Sequence, residues 1–292
     1  MNQELLITVI VPVWNDIDRI LLCVEALKAQ TLKNNEYEIF VVDNGSTDGT
    51  YEKLLSQTGI TLLQESNPGS YSARNKGLKE ARGKYVAFTD SDCIPDEKWL
   101  ENLISCAIDK PSMGIIAGDI QFFKENTSVE ASALAYEELF SMDQEAYAKL
   151  GLCITANWLS DREVIINNSG FDTSLKSGGD HEMSQRLTEQ GLKVYFCEDA
   201  IVMHPARNKK EILKKRKRVI GGAWDKSVSK VKAIRLITNS LKLYIKRSIK
   251  IFVSSDSSLK KRFSVYGIIT LIFITSVKEI ARLSLGQKSS RS

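Results

Sequence analysis

Along the first half of the chain, continuous apolar runs alternate with runs whose apolar residues recur every three or four positions. Residues 6–13 are apolar almost throughout and rich in β-branched side chains, the pattern of a strand buried on both faces. Ile17, Ile20, Leu21, Val24 and Leu27 follow at helical spacing, as far as Gln30. The same alternation predicts strands at 38–42, 60–63, 85–89 and 114–123. It predicts helices ending at 55, at 81 and near 108. Residues 127–150 read as an Ala- and Glu-rich helical stretch, and 152–158 as a short strand or loop. Ser177-Gly178-Gly179 leads into a helix capped at Asp180 and stopped by Gly191, and 194–197 and 200–203 read as late strands. Strand and helix in this order predict a doubly wound α/β sheet, whose ligands sit beyond the carboxyl ends of its strands. The polar segments at 14–16, 43–48 and 90–92 each follow a buried strand. They are therefore expected to converge at one edge.

Composition adds a boundary. The 292 residues are 43% hydrophobic and 26% charged, which excludes a disordered, collagen-like or multi-span membrane chain. The net charge of +4 conceals a split. Residues 1–206 hold 17 basic and 32 acidic side chains, and residues 207–262 hold 19 and 3. Two domains are expected, 1–206 and a basic helical region at 207–292 that is a candidate for attachment to a membrane surface. Residues 263–277 carry no charge but fall short of the roughly twenty residues that a spanning helix needs. A buried helix, an interfacial segment or a re-entrant one fits them better than a full span. Five scattered cysteines with no C-x-x-C, and two histidines, exclude a Cys/His zinc site. Free thiols in a reducing compartment are expected. The first residues have no basic stretch or small-residue cleavage site, so no signal peptide is expected.

Five polar groups are candidates for chemistry. Asp90-Ser91-Asp92 can grip a divalent cation that also holds phosphate oxygens, although an acidic turn that only solvates a loop has the same sequence. Asp43-Asn44 can read the imide edge of a uracil or thymine base, or simply form an Asx turn. Arg74, near a helix start, can meet a base or a diphosphate, or lie on a surface. Asp180, behind two glycines and followed by Glu182, can approach a substrate as a general base or cap its helix. His204 closes a late strand as a candidate ligand, in competition with a structural role. Other motifs fail. Residues 77–85 imitate a phosphate-binding loop with one residue too many and a Tyr in place of Ser or Thr. Neither G-x-G-x-x-G nor G-x-S-x-G occurs.

Taken in order, Val9 to Asp16, Val41 to Asp48, Asn67 with Gly69, Ala73 to Gly77, Asp90-Ser91-Asp92, Asn157, Gly170-Phe171-Asp172 and Gly179 to Glu182 with Arg186-Leu187 resemble the family-2 glycosyltransferases of the GT-A fold, over about residues 5–205. The resemblance implies a Rossmann-like, mostly parallel sheet flanked by helices. It also implies a nucleotide-diphospho-sugar donor (UDP-, dTDP- or GDP-linked), Mg²⁺ or Mn²⁺, and inversion at the anomeric carbon. Pro12, Trp14 and Asn15 would line the nucleoside pocket, with Trp14 where the family often has Tyr. Asp43 and Asn44 would meet the base, and Arg74 the base or diphosphate. Asp90 and Ser91 would face the donor, and Asp92, Asp90 and His204 the metal. Asp180 would be the base, with Asn157, Trp158, His181 and Glu182 on the acceptor side. The chain departs from the family pattern at Asn44, a frequent Asp, and at Gly179, usually Glu. The resemblance also implies a saccharide or lipid-linked saccharide acceptor, and a cytoplasmic enzyme peripheral on the inner face of the membrane.

The basic tail favours anionic lipid, each Lys or Arg near such a surface adding about 1 kcal/mol of attraction. Nucleic acid is not expected as a partner, because residues 207–220 lack interleaved aromatics. A nucleotidyltransferase would need a Gly-rich basic loop where Trp14-Asn15-Asp16 stands, and a non-catalytic relative need not keep Asp90, Asp92 and Asp180.

Overall fold

The structure, a computed structural model, describes residues 5–175, 177–229, 231–253 and 258–289. Residues 1–4, on which part of the signal-peptide expectation falls, lie outside the described residues. The strands are β1 (Ile7–Val13), β2 (Tyr37–Asp43), β3 (Thr61–Gln64), β4 (Tyr85–Phe88), β5 (Ile94–Pro95), β6 (Met113–Phe123), β7 (Trp158–Asp161) and β8 (Lys193–Pro205). The helices are α1 (Ile17–Lys28), α2 (Thr50–Leu55), α3 (Ser70–Glu80), α4 (Trp99–Ala107), α5 (Ala131–Phe140), α6 (Gln144–Ala148), α7 (Arg162–Asn167), α8 (Gly179–Glu189), α9 (Lys209–Lys226), α10 (Lys232–Val253) and α11 (Leu259–Ser284).

The chain divides into two compact units, one of residues 1–121 and 142–204, the other of residues 122–141 and 205–292. The sheet runs β3-β2-β1-β4-β7-β6-β8-β5. β1 lies parallel between β2 and β4, and β2 parallel to β3, which is the expected doubly wound part. Beyond β4 the pairs β4·β7, β6·β7 and β5·β8 are antiparallel. All seven residues of β1 are buried, as its unbroken apolar run requires. Its pairing with β4 ends at Ile10↔Phe88, while its pairing with β2 continues to Val13↔Asp43. Pro12, which has no N–H to give, falls where the β4 ladder has already stopped. Chain order reverses between β1 and β4, so the strands part at a topological switch point, where open α/β sheets bind ligands. Gly77 lets α3 lie close over this region; a Cβ there would sit 2.6 Å from Ile10 Cγ2.

Several elements differ from expectation. The two late strands are one, β8, and the helical stretch at 127–150 is two helices, broken where Met142 takes φ +51°. Cys106 and Cys197 form a disulfide across 91 residues of sequence, joining α4 to β8, which corrects the expectation of five free thiols. A pairing made by long-range folding leaves no trace in local cysteine spacing. Cys23, Cys93 and Cys153 are free and buried.

The second unit is helical, with a core that includes Ala133, Tyr136, Ile212, Ile251, Val265, Ile268 and Ile272. By length and composition α11 is apolar enough to cross a membrane. Its Val265, Ile268, Ile269, Ile272, Ile280 and Leu283 are buried within the described chain, and 44% of its most apolar window is buried there.

Candidate active site

At the end of β1 the chain turns sharply through Asn15, which takes φ +50°. Its N–H donates to Ser46 Oγ (2.9 Å) and its Oδ1 accepts from Thr47 N–H (2.7 Å). These bonds tie the β1 loop to the β2 loop and leave Trp14 61% exposed between them and solvent. Asp43 ends β2 at 1% exposure. Its Oδ2 accepts from the N–H groups of Gly45 (3.1 Å) and Ser46 (3.2 Å), while its buried Oδ1 has no partner. A buried carboxylate oxygen without a donor is a standing request for one. Asn44 behaves otherwise. Its Nδ2 donates to the carbonyls of Glu65 and Asn67 (both 2.8 Å), and its Oδ1 accepts from Gly69 N–H (2.6 Å). Asn44 thus spends its amide holding the 65–69 loop.

The second cluster lies past β4. Ser91 donates to Asp16 Oδ2 (2.9 Å), tying the 90–92 loop to the β1 loop. The β5·β8 pairing sets Ile94 opposite Met203, and this brings His204 Nε2 to 3.6 Å from Asp92 Oδ2. Ligand atoms of Asp92, Cys93 and His204 lie within 4.8 Å of one another. A carboxylate with an imidazole suits Mn²⁺ or Mg²⁺ with substrate oxygens completing the shell. Burial, reinforced by Asp92 and Asp90, pushes the Cys93 thiol up, so Cys93 stays protonated beside that pair. Asp90 Oδ1 accepts from buried Arg74 on α3, and Arg74 Nε is itself buried without an acceptor. Burial raises the Asp90 carboxyl above the usual range; the Arg74 guanidinium opposes this, and the charges of Asp92 and Asp180 add to it. Asp90, Asp92, Arg74, His204 and Asp180 thus share one electrostatic neighbourhood.

The third group is the start of α8. Gly178 takes φ +75° as the N-cap, and Gly179 N–H donates to Tyr71 Oη (2.8 Å). A Cβ on Gly179 would lie 2.7 Å from the Tyr71 ring, which stacks on Phe171 at 5.9 Å. Glycine at this position is therefore a fit to Tyr71. Asp180 sits half-buried in the first helical turn, where the positive end of the helix favours a carboxylate. Burial, and then the charge of Asp180, push the Tyr71 hydroxyl up.

Of the expected acceptor-side residues, His181 is half-buried with its ring 5.2 Å from Tyr147. Glu182 binds Arg186 through both oxygens (2.9 Å each), and Arg186 also holds the carbonyls of Asn168 and Gly170. Asn157 and Trp158 are both 0% exposed. Asn157 accepts from Trp99 Nε1 (2.8 Å) and donates to the carbonyls of Asp119 (2.8 Å) and Ala200 (2.7 Å). Trp158 donates to Ser160 Oγ (2.7 Å). These are internal struts of the sheet. Tyr71, Asp16 and Cys93 join the site without having been assigned a role there. Cys93 adjoins Asp92 in sequence and Asp16 closes the polar segment at 14–16, whereas nothing in the pattern marked Tyr71.

The chain matches the family described as Glycosyl transferase family 2 over residues 8–168. It is 34% identical over 220 residues to Glycosyltransferase AglE of Haloferax volcanii, covering 73% of this chain and 71% of that one. It is 26% identical over 226 residues to the Pre-mycofactocin glycosyltransferase of Mycobacterium tuberculosis, covering 74% of this chain and 46% of that one. Among solved structures, the mannosyltransferase PcManGT from Pyrobaculum calidifontis, in complex with GDP-Man and Mn²⁺, aligns with a TM-score of 0.59 at 19% identity, over 97% of this chain and 76% of that one. TarS 1-349 of S. aureus in complex with UDP-GlcNAc aligns with a TM-score of 0.55 at 15% identity, over 97% of this chain and 92% of that one. At these identities the likeness is one of fold, the expected GT-A arrangement.

Proposed function

Because the chain belongs to glycosyl transferase family 2, we propose that it moves a sugar from a nucleotide-diphospho-sugar to an acceptor hydroxyl, with a divalent metal and inversion at the anomeric carbon. The observation that carries this reading is the meeting of the Asp92–His204 pair, the Arg74–Asp90 pair and Asp180 beyond the parting of β1 and β4. Structural relatives that hold GDP-Man with Mn²⁺ and UDP-GlcNAc support the donor class.

The roles follow from chemistry. Asp43 Oδ1 takes the ring N–H of the base, a donor that uracil, thymine and guanine each present. Trp14 offers an exposed indole for stacking. Asp92 and His204 would hold a divalent ion, which would supply charge neutralisation on the diphosphate. Arg74 holds Asp90 at the rim of the same site and adds positive charge where the diphosphate departs. Asp180 takes the acceptor proton as that oxygen attacks the anomeric carbon opposite the leaving group. The new C–O bond forms as the bond to the diphosphate breaks, and the diphosphate leaves with the electron pair.

The acceptor proposed is a saccharide or a lipid-linked saccharide, in cell-surface polysaccharide or glycolipid synthesis. Helix α10 supports work at an anionic membrane. Its Ile234, Ile237, Leu241, Ile245 and Ile249 recur at three- and four-residue spacing and are 38–67% exposed. Lys242, Lys246 and Lys250 accompany them, as in interfacial helices. The location proposed is peripheral, on the cytoplasmic face. A disulfide is uncommon in a reducing compartment; alkylation trapping in cells shows which state Cys106 and Cys197 hold there.

Donor hydrolysis across UDP-, GDP- and dTDP-sugars, with Mn²⁺ and with chelator, tests the proposal. The expected result is one base class hydrolysed, with the activity lost on chelation. Equal hydrolysis with and without metal overturns the metal-dependent reading, and no hydrolysis of any donor overturns the donor assignment.

A further inference from the structure

Asp180 carries the proton transfer of the proposed reaction, yet its own carboxylate is lightly held. Oδ1 accepts from the neighbouring His181 N–H (3.0 Å), and among the described residues no side chain is recorded bonding to this carboxylate. Its place is therefore set by the backbone at the start of α8. The N-cap there is Gly178, which has no side chain to satisfy the first N–H groups of the helix.

Tyr71, from α3, does what the N-cap cannot. Its Oη accepts from Gly179 N–H (2.8 Å), and both residues are buried. Burial and the Asp180 charge push this hydroxyl up, while the Arg74 charge and the backbone N–H groups of Gly179 and Asp180 pull the other way. Both amides thus face the one oxygen.

Tyr71 is itself fixed. Its ring stacks on Phe171 at 5.9 Å with the planes 18° apart. Phe171 is tied back to α3 by Asn75, whose Oδ1 accepts from Phe171 N–H and whose Nδ2 donates to its carbonyl (both 2.8 Å). Further along α8, Arg186 holds the carbonyls of Asn168 and Gly170 in the same segment. Arg74 lies one turn after Tyr71 on α3, its guanidinium 5.9 Å from the Tyr71 ring centroid. A single helix therefore carries both the arginine of the diphosphate side and the hydroxyl that caps the helix of the base.

We infer that Tyr71 is a positioning residue for the transfer, its hydroxyl capping α8 from outside so that Asp180 is held in line with the reacting carbon. The inference rests on the proposed role of Asp180. Tyr71 acts through that residue and exchanges no proton with the substrate.

The test measures hydrolysis of UDP-, GDP- and dTDP-sugars with Mn²⁺ by the full chain as wild type, Tyr71→Phe, Asp180→Asn and the double variant. Thermal unfolding of each places the assays below its transition. Tyr71→Phe keeps the ring on Phe171 and removes only the oxygen. It is expected to leave KM for the donor within about twofold of wild type. It is expected to lower kcat by about ten- to a hundredfold, the scale of loss when a reacting group is misplaced by about 1 Å. In the Asp180→Asn background the same substitution is expected to change the residual rate by less than about twofold, because the group it positions is gone. A purely structural weakening would slow both backgrounds alike. If Tyr71→Phe does not fold, Tyr71→His takes its place, and the same dependence on Asp180 is expected. An unchanged kcat, an equal loss in the two backgrounds, or a raised KM at unchanged kcat overturns the inference and leaves the role of Asp180 standing. Wild-type turnover in Asp180→Asn removes that role and the inference with it. No hydrolysis of any donor by the wild type overturns the donor assignment and the inference together.

Discussion

Asp43 divides its work between two oxygens, one locking its own loop and the other unpartnered and buried. An asparagine has a single acceptor oxygen, so Asp43→Asn must give up either the loop or the base. Donor affinity is expected to fall by about 1–3 kcal/mol, measured by calorimetric titration. Asp92→Ala removes the carboxylate that faces His204. The expected outcome is loss of the difference between donor titrations with Mn²⁺ and with chelator. The places of Asp43, Asp90, Asp92 and Asp180 were legible in the sequence because polar groups past buried strands, or behind glycines at a helix start, are placed by backbone pattern alone. The hydrogen-bond partners of Asn44 and Asn157 were not. That both are amides was plain, but whether an amide faces a ligand or a neighbouring carbonyl depends on distant segments, Glu65 to Gly69 in one case and Trp99, Asp119 and Ala200 in the other.

Helices α8 and α10 each carry a test at the scale of an element. The start of α8 is set by the fit of Gly179 against Tyr71. Gly179→Ala overpacks that contact at a cost of about 1–3 kcal/mol. Thermal unfolding is expected several degrees lower, and transfer is expected to slow more than donor binding weakens, because Asp180 moves with the turn. On α10, Ile245→Glu places a charge in the exposed apolar row. Co-sedimentation with phosphatidylglycerol vesicles is expected to weaken roughly tenfold or more, with the unfolding temperature unchanged. Element types in the parallel half of the sheet were readable because each strand there is a local apolar run. The two-residue strand β5 was invisible at that length, yet it sets His204 beside Asp92. The Cys106–Cys197 pairing was hidden for a related reason, since it joins a helix to a strand 91 residues away.

Across the whole molecule, charge and fold tell compatible stories at different resolution. The acidic body holds the candidate donor site, and the basic helices hold the exposed row on α10. Composition placed a change of character at residue 207, where the basic excess begins. The structure also groups residues 122–141 with the later helices, through a core that joins Tyr136 to Ile212 and Val265. That grouping is made by packing between segments far apart in sequence, which composition does not register. The central claim is that a single carboxylate in the site performs the proton transfer while the others serve the donor. Donor binding and sugar transfer, measured side by side for Asp180→Asn, test it most directly. The account predicts metal-dependent donor affinity equal to wild type and transfer slowed by about 10²–10⁴. Transfer at the wild-type rate, or loss of donor binding along with transfer, would contradict it.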